Sequence, residues 1–131
     1  MGGAILSGLL ARGVSPGRIH IIEPNKEAVS DFISHGVRHY LSGNELPPDL
    51  RASLVLLAVK PQVMEEALPA VAPLAASGTL YVSVAAGKTL SWFAERLGQG
   101  TPVVRAMPNT PATVGRGMTV LCPGPGVTPD Q

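Results

Sequence analysis

The sequence predicts an α/β fold with a doubly wound, mainly parallel sheet. Short apolar runs of strand length alternate along the chain with stretches of helical periodicity, which is the pattern of βαβ units. Hydrophobic residues make up 45% of the chain and aromatic residues only 4%, an aliphatic bias that suits strands buried on both faces of a parallel sheet. The 15 glycines and 13 prolines fall mostly between the apolar segments, so they indicate turns of a folded domain rather than disorder.

The predicted helices and strands follow one another in chain order. An apolar helix is expected first, stopped by Gly13. The next helix is amphipathic and is expected to end at Gly36, and the residues on its inner face are Ala28, Val29, Phe32 and Ile33. The run at residues 53–59 is continuously apolar, which is typical of a strand buried on both faces. The predicted helices are residues 4–12, 26–35, 62–76 and 90–97, and the predicted strands are residues 18–22, 37–41, 53–59, 79–85, 103–107 and 118–121.

The chain opens directly with a predicted helix, although a doubly wound sheet begins with a strand. In such folds the first strand is central, and the loop after it carries the glycines that approach a phosphate. We therefore expect a Rossmann-type sheet that is incomplete at the N-terminus, with residues 1–122 forming a partial dinucleotide-binding domain. Residues 123–131 are rich in proline and glycine and are expected to form a loop or linker.

Composition and charge exclude several classes of partner. The formal net charge is +1 and no stretch concentrates Lys or Arg, so neither a nucleic acid nor a membrane is expected as a partner. The longest apolar strings are too short to span a bilayer, and no signal-peptide pattern is present. Cys122 is the sole cysteine, which excludes an internal disulfide and favours a reducing cytoplasm. His20, His35 and His39 lack metal-ligand spacing, so no metal site is expected.

An acidic residue follows the predicted strand at residues 18–22. Glu23 precedes Pro24 and Asn25, and in a Rossmann-type unit an acid at this position accepts hydrogen bonds from the adenine-ribose hydroxyls and favours NAD over NADP. The alternative is that Glu23 only interacts favourably with the N-terminus of the following helix. Both interpretations stay open.

Ala58, Val59, Lys60 and Pro61 leave the apolar run at its carboxyl end. Open α/β sheets bind ligands just beyond the carboxyl ends of their strands. Lys60 is therefore a candidate contact for a phosphate or a ribose hydroxyl. The alternative is that Lys60 is merely the first solvated residue after the strand.

Two further segments follow predicted strands and combine small, rigid and polar residues. Ala85, Ala86 and Gly87 would let a flat ring approach the backbone. Asn109 and Thr110 would offer polar groups after the next strand, and Arg105 within that strand is either a ligand clamp or a member of a structural ion pair. A nucleoside triphosphatase is excluded, because no glycine stands five residues before Gly87 as a Walker A motif requires.

Three motifs stand in a recognisable order: Val59-Lys60-Pro61-Gln62, Ser83-Val84-Ala85-Ala86-Gly87 and Arg105-Ala106-Met107-Pro108-Asn109-Thr110-Pro111. In order and approximate spacing they resemble the motifs of the pyrroline-5-carboxylate reductases, and the last motif is the most specific. The resemblance runs the whole length of the chain and corresponds to the family's N-terminal Rossmann domain. It implies that Met1 and Gly2 are the end of a glycine-rich opening motif, and that a helical C-terminal domain follows the linker.

The resemblance implies an oxidoreductase that reduces 1-pyrroline-5-carboxylate to L-proline, in proline biosynthesis, with NADPH or NADH. Glu23 and Pro24 stand where members of the family often carry Ser, Thr or Arg beside the 2′-phosphate, so the usual preference for NADPH is in question. The resemblance also implies a homo-oligomer formed through the C-terminal domain. That domain is expected to supply the groups that contact the imine, so the catalytic residues are unknown and residues 1–131 alone are expected to be inactive.

Most of the implied site residues contact the cofactor, and Asn44 joins them if one extra residue is allowed in the following loop. The alternatives are another imine or β-hydroxyacid-type dehydrogenase that shares this Rossmann half, and a non-catalytic fragment. The implied cofactor-binding residues are Met1, Gly2, Glu23, Pro24, Asn25, Asn44, Ala58, Val59, Lys60, Pro61, Ala85, Ala86 and Gly87, and those near the nicotinamide or the substrate are Met107, Asn109 and Thr110.

Overall fold

The computed structural model describes residues 1–109 and 116–131. Within them the chain divides into two compact units, Gly2–Leu50 and Arg51–Gln131, and Met1 groups with the second unit. Each unit is described by itself. No helix in the described residues is long and apolar enough to cross a membrane.

The Gly2–Leu50 unit is a two-stranded parallel sheet with helices beside its strands. Its strands pair from His20↔Arg38 to Ile22↔Tyr40. Short 3-10 helices precede the first strand, precede the second α-helix and follow the second strand. The elements are α1 (Gly2–Ala11), β1 (His20–Ile22), α2 (Ser30–Ser34) and β2 (Arg38–Tyr40), with 3-10 helices at Pro16–Arg18, Lys26–Val29 and Gly43–Glu45.

Two glycines turn the chain of this unit back toward its sheet. Gly13 after α1 has a φ of 89° and Gly36 after α2 has a φ of 94°, values that only glycine adopts without strain. Both positions were predicted as helix stops, and both predictions are confirmed. Val29 is buried as predicted, whereas Ala28 is exposed because the helix expected over residues 26–35 starts as a 3-10 turn.

The Arg51–Gln131 unit is a four-stranded sheet with helices in its crossover connections. The strand order is β3-β4-β5-β6; the first three strands are parallel, and β6 runs antiparallel to β5. The elements are β3 (Leu54–Leu57), α3 (Met64–Ala67), β4 (Leu80–Ser83), α4 (Leu90–Leu97), β5 (Val103–Pro108) and β6 (Thr119–Pro123). The predicted α/β class with a mainly parallel sheet is confirmed.

The core of this unit lies between the sheet and its helices. Tyr81 and Phe93 are 0% exposed, and the Tyr81 hydroxyl donates a hydrogen bond of 2.6 Å to the carbonyl of Val71. Burial raises the pKa of Tyr81 to about 12, so the phenol stays protonated and keeps donating this bond. One polar side chain is thereby satisfied inside an apolar core.

Proline divides the segment between β3 and β4. The sequence predicts a helix over residues 62–76 that Pro69 and Pro73 kink or shorten, and the structure keeps only α3 as an α-helix. The remainder is 3-10 turns at Leu68–Ala70 and Ala72–Ser77, because a proline has no N–H for the i→i−4 bond. The prediction of one helix was too long, and the expected shortening is confirmed.

Two other predictions concern the margins of this unit. The run at residues 53–59 was expected to be buried on both faces, but Leu54 is 50% exposed and only Leu57 is fully buried, because β3 is the first strand of its sheet. Beyond β6, the amide of Gly124 donates to the carbonyl of Val103 at 2.8 Å. The division of domains at residue 122 stays a prediction.

Candidate functional site

Three of the predicted segments follow neighbouring parallel strands. Leu57 pairs with Ser83, and Ser83 pairs with Arg105, so the parallel strands β3 and β4 end level with Arg105. β5 points the same way and continues three residues further, to Pro108. The loops that follow the three strands begin at residues 58, 84 and 109. The structure therefore brings these three predicted segments to the edge where open α/β sheets hold their ligands.

The loop after β3 leaves a cation in solvent. Ala58, Val59 and Pro61 are half-buried, and Pro61 begins a 3-10 helix with Lys60 as its N-cap residue. Lys60 is exposed, and its ammonium has no hydrogen-bond or ion-pair partner in the described part of the chain. The geometry is compatible with a ligand contact and with a solvated residue alike.

The loop after β4 presents bare backbone. Ser83 is 0% exposed, and its hydroxyl accepts the amide N–H of Ala85 at 3.3 Å, which starts the turn. Ala85 is buried, Ala86 and Gly87 are exposed, and Gly87 has a φ of 76°. A Cβ added at Gly87 would meet no atom within 4 Å, so one face of the turn is open. Such a turn can take a flat ring against its backbone.

The end of β5 is tied to β6 through an asparagine. The Asn109 side-chain oxygen accepts the amide N–H of Met118 at 2.9 Å, and the Asn109 amide donates to the Met118 carbonyl. Met107 is half-buried at the same strand end. Asn109 thus continues the strand ladder with its oxygen, and its side-chain NH₂ has no hydrogen-bond partner among the residues described. Thr110 lies outside the described residues.

The sequence leaves open whether Arg105 is a ligand clamp or a member of a structural ion pair. Its Nε is buried and has no hydrogen-bond partner among the residues described. No carboxylate within the described ranges lies at ion-pair distance from it. The interpretation as a structural ion pair therefore finds no partner in these ranges, and no sequence signal marked the buried Nε.

The predicted adenosine-side residues lie in the Gly2–Leu50 unit. The Glu23 Oε1 accepts the amide N–H of Asn25 at 2.9 Å, and the Asn25 Oδ1 accepts the amide N–H of Glu27 at 3.1 Å. His39 donates from Nε2 to the Glu23 carbonyl at 2.8 Å, and the Glu23 amide donates to the carbonyl of Tyr40. These bonds fix the backbone at Glu23, and its Oε2 accepts no hydrogen bond from a described residue.

The remaining predicted residues of the Gly2–Leu50 segment and its start are solvent-accessible. Met1 is 47% exposed and α1 begins at Gly2, which is half-buried. Pro24 is exposed at the turn, and Asn44 is exposed within the 3-10 helix Gly43–Glu45. Their predicted roles as cofactor contacts stay predictions.

A histidine–tyrosine pair on the strands of the same unit was not foreseen. The Nδ1 of His20 lies 3.0 Å from the Tyr40 hydroxyl, and the two rings are nearly parallel with centroids 5.7 Å apart. Burial, and then the positive charge of Arg38, lower the pKa of His20 below its usual value of 6.5. His20 is therefore neutral at pH 7. In the described residues no group of three or more His, Cys, Asp or Glu could hold a metal ion.

Comparison with known proteins gives consistent similarities. A family model described as "NADP oxidoreductase coenzyme F420-dependent" matches residues 1–87. The pyrroline-5-carboxylate reductase of Escherichia coli strain K12 is 39% identical over 133 residues, which cover 100% of this chain and 49% of that protein. The corresponding enzyme of Synechocystis is 37% identical over 100% of this chain and 48% of its own length. The chain thus spans about half the length of the curated relatives it matches.

Solved structures agree with these relatives. A pyrroline-5-carboxylate reductase from Coxiella burnetii superposes with a TM-score of 0.88 at 30% identity, over 98% of this chain and 48% of that one. The Plasmodium falciparum pyrroline carboxylate reductase with NADP bound has a TM-score of 0.79 over 99% of this chain and 47% of its own, and at 24% identity it shows the fold alone. The predicted Rossmann-type fold and the predicted resemblance are confirmed.

Proposed function

Because this chain belongs to the family described as NADP oxidoreductase, coenzyme F420-dependent, we propose that it is the dinucleotide-binding part of an enzyme that reduces 1-pyrroline-5-carboxylate to L-proline. The relatives that carry this enzyme's name match the chain over its full length. The observation that carries the proposal is the shared edge of β3, β4 and β5, where the three motif segments meet. That edge is where a Rossmann-type sheet holds a nicotinamide dinucleotide.

The residues at this edge suit a cofactor that lies along the strand ends. Lys60 offers a positive charge beside the first loop, and Ala58 to Pro61 would line the dinucleotide. The open turn at Ala85, Ala86 and Gly87 would take one face of the nicotinamide ring. Met107 and Asn109 stand at the next strand end, on the side where we place the substrate.

A reduced nicotinamide dinucleotide bound there would supply the hydride to the carbon of the protonated imine and would itself be oxidised. The residues of this chain bind and orient: they hold one ring in place and keep water from its reactive face. Holding two reactants in the correct geometry is itself a large part of such catalysis. We assign no acid or base to these residues, because the groups that contact the imine belong to the further domain that the proposal includes.

The choice of cofactor rests on the turn at Glu23. One carboxylate oxygen orders the turn through Asn25, and the other is free of described partners to accept a ribose hydroxyl. One geometry is therefore compatible with both sequence interpretations of Glu23. A carboxylate here repels a 2′-phosphate unless a cation such as Lys26 offsets it. The proposal is accordingly NADPH or NADH, with NADH used unusually well.

The wider proposal covers the whole enzyme. It places residues 1–122 in the dinucleotide-binding domain, with residues 123–131 leading to a helical domain that forms a homo-oligomer. It also places the enzyme in the cytoplasm, for which the sole cysteine is the support. The full-length enzyme is tested for NAD(P)H oxidation with 1-pyrroline-5-carboxylate and with several β-hydroxyacids. Turnover of the imine is expected, and turnover of a hydroxyacid without the imine would refute the assignment.

A further inference from the structure

The turn at Ala85–Gly87 is followed by a group of charged and aromatic side chains that the proposed function does not use. Lys88 stands directly after Gly87, and its Nζ lies 4.5 Å from the centroid of the Trp92 ring. The Cζ of Arg96 lies 4.0 Å from the same centroid. A cation within about 6 Å of an aromatic centroid is attracted by the ring quadrupole. The indole ring of Trp92 is thus in contact with two cations, one four residues before it in the chain and one four residues after it.

The second cation is itself held by a neighbouring element. The Nε and Nη2 of Arg96 donate to Glu65 Oε1 at 3.0 and 2.8 Å, and Glu65 lies on α3. The Arg96 Nη1 donates to the Trp92 carbonyl at 3.3 Å. These contacts link α3, α4 and the loop after β4 through four side chains. We call the four side chains the clasp: Glu65, Arg96, Trp92 and Lys88.

Trp92 is half-buried and packs against the buried side of α4. Phe93, its neighbour, is 0% exposed, and the two rings meet edge to face with centroids 5.0 Å apart. The Thr89 hydroxyl accepts the amide N–H of Trp92 at 3.1 Å and so caps the first turn of α4. Lys88 therefore links the end of the loop to a ring that packs against the buried Phe93.

We propose that the clasp is a positioning device, in which Lys88 on Trp92 holds the Ala85–Gly87 turn in the conformation that accepts the nicotinamide ring. Gly87 has a φ of 76° and no atom within 4 Å of its Cβ position, so no other described residue packs against the turn on that side. At the other end of the loop, Ser83 fixes Ala85. Lys88 supplies the missing restraint after Gly87. The role in cofactor binding rests on the proposed function; the restraint on the loop does not.

The test uses the full-length protein and two measurements. Hydrogen exchange of the amides at residues 84–89 reports how tightly the loop is held, without any ligand. The Kd for NADPH reports whether that restraint serves the cofactor. Lys88→Met removes the charge and keeps the length of the side chain, and we expect both exchange and Kd to rise about threefold, the factor that one exposed cation–π contact of this kind provides. Lys88→Arg keeps the charge and should restore both values.

Glu65→Ala and Glu66→Ala form a matched pair on α3. Glu65 anchors Arg96, whereas Glu66 is exposed and bonds to no described side chain. Glu65→Ala should raise exchange in the loop by a smaller factor than Lys88→Met, and Glu66→Ala should leave it unchanged. Equal effects of Glu65→Ala and Glu66→Ala on exchange in the loop would overturn the proposed role of the clasp. Exchange in Lys88→Arg as fast as in Lys88→Met would overturn it too.

The two measurements separate the possible failures. Faster exchange in Lys88→Met with an unchanged Kd overturns the positioning role, since the loop would then be restrained for the stability of α4 alone. A wild-type protein that binds neither NADPH nor NADH contradicts the proposed function and the cofactor half of this inference. In that case the exchange data still decide whether Lys88 restrains the loop.

Discussion

The two compact units hold their predicted cofactor loops in different ways. The Gly2–Leu50 unit pairs two short strands and, among described residues, buries only Val29 and Val37 of its hydrophobic side chains, whereas the Arg51–Gln131 unit buries twelve. The turn at Glu23 is fixed by a chain of backbone and side-chain hydrogen bonds. The turn at Gly87 leads into a helix that packs on a core. The first loop depends on polar geometry, and the second depends on packing.

This difference has a consequence for stability. Two strands alone are marginal in water, because the hydrophobic area they bury is small compared with the chain entropy they lose. We expect the Gly2–Leu50 unit to open more readily than the Arg51–Gln131 unit. The adenosine side of the proposed site should accordingly be the more dynamic part.

The largest effect is expected from the core of the Arg51–Gln131 unit. Phe93→Ala removes a fully buried ring and should lower the free energy of unfolding by about 3–5 kcal/mol. Val37→Ala in the other unit deletes less buried volume and should cost roughly half of that or less. Urea denaturation of both variants measures the two losses. Equal losses would contradict the contrast between the units.

A second effect concerns cofactor choice at the polar loop. Glu23→Ser in the full-length enzyme should shift the ratio of kcat/KM values toward NADPH by at least about tenfold, which corresponds to roughly 1.4 kcal/mol. Glu27→Ser is the matched control, since Glu27 is an exposed carboxylate in the following 3-10 turn. If Glu23→Ser leaves the ratio of kcat/KM values unchanged, Glu23 orders the turn through its bond to Asn25 and does not select the cofactor.

Two glycines sharpen the comparison, because alanine should act on them in opposite directions. Gly8 lies inside α1 with open space at its Cβ position, so Gly8→Ala should stabilise the protein by about 0.5–1 kcal/mol. Gly87 has a φ of 76°, so Gly87→Ala should cost about 1 kcal/mol and weaken NADPH binding. Thermal unfolding of both variants gives the two signs. A stabilising Gly87→Ala would show that the turn relaxes to another conformation.

The smallest effect is a pH dependence of the Gly2–Leu50 unit. The pKa of His20 is lowered in the folded state, mainly by burial, so the unfolded chain binds the proton more readily. The stability from neutral His20 is therefore complete above pH 6.5 and is lost as the pH falls through the lower folded pKa. NMR titration of the His20 ring should give a pKa below 6.5, and His20→Gln should reduce the loss of stability at acid pH. A measured pKa above 6.5 for the His20 ring would contradict this account of its burial.

The sequence predicted the order of elements well, because glycine stops and apolar runs are local signals. The helix stops at Gly13 and Gly36 and the helix over residues 90–97 follow from such signals. Burial was predicted less well. The apolar run predicts that Leu54 is buried, but Leu54 is half exposed because it lies on the first strand of its sheet. A strand's neighbours are set by topology, which apolar periodicity does not reveal.

Some parts of the candidate site could likewise be predicted from the sequence, and others could not. The three motif segments at the strand ends follow from pattern and resemblance, since strand ends can be located from sequence. The stacked His20–Tyr40 pair, the hydrogen bonds between Glu65 and Arg96 and the buried Nε of Arg105 could not be predicted, because they depend on contacts between elements or on burial that sequence spacing does not reveal. Trp92 and Arg96, by contrast, stand four residues apart on α4, a spacing that brings side chains together on a helix.

Hydrogen exchange of the full-length enzyme with and without NADPH tests the central claim most directly, because it locates the cofactor on the chain. The account predicts slower exchange at residues 58–61 and 84–89 when NADPH is bound, together with slower exchange at residues 23–27. In the free enzyme, residues 23–27 should also exchange faster than residues 58–61 and 84–89. Protection elsewhere, with these three segments unchanged, would contradict the proposed site.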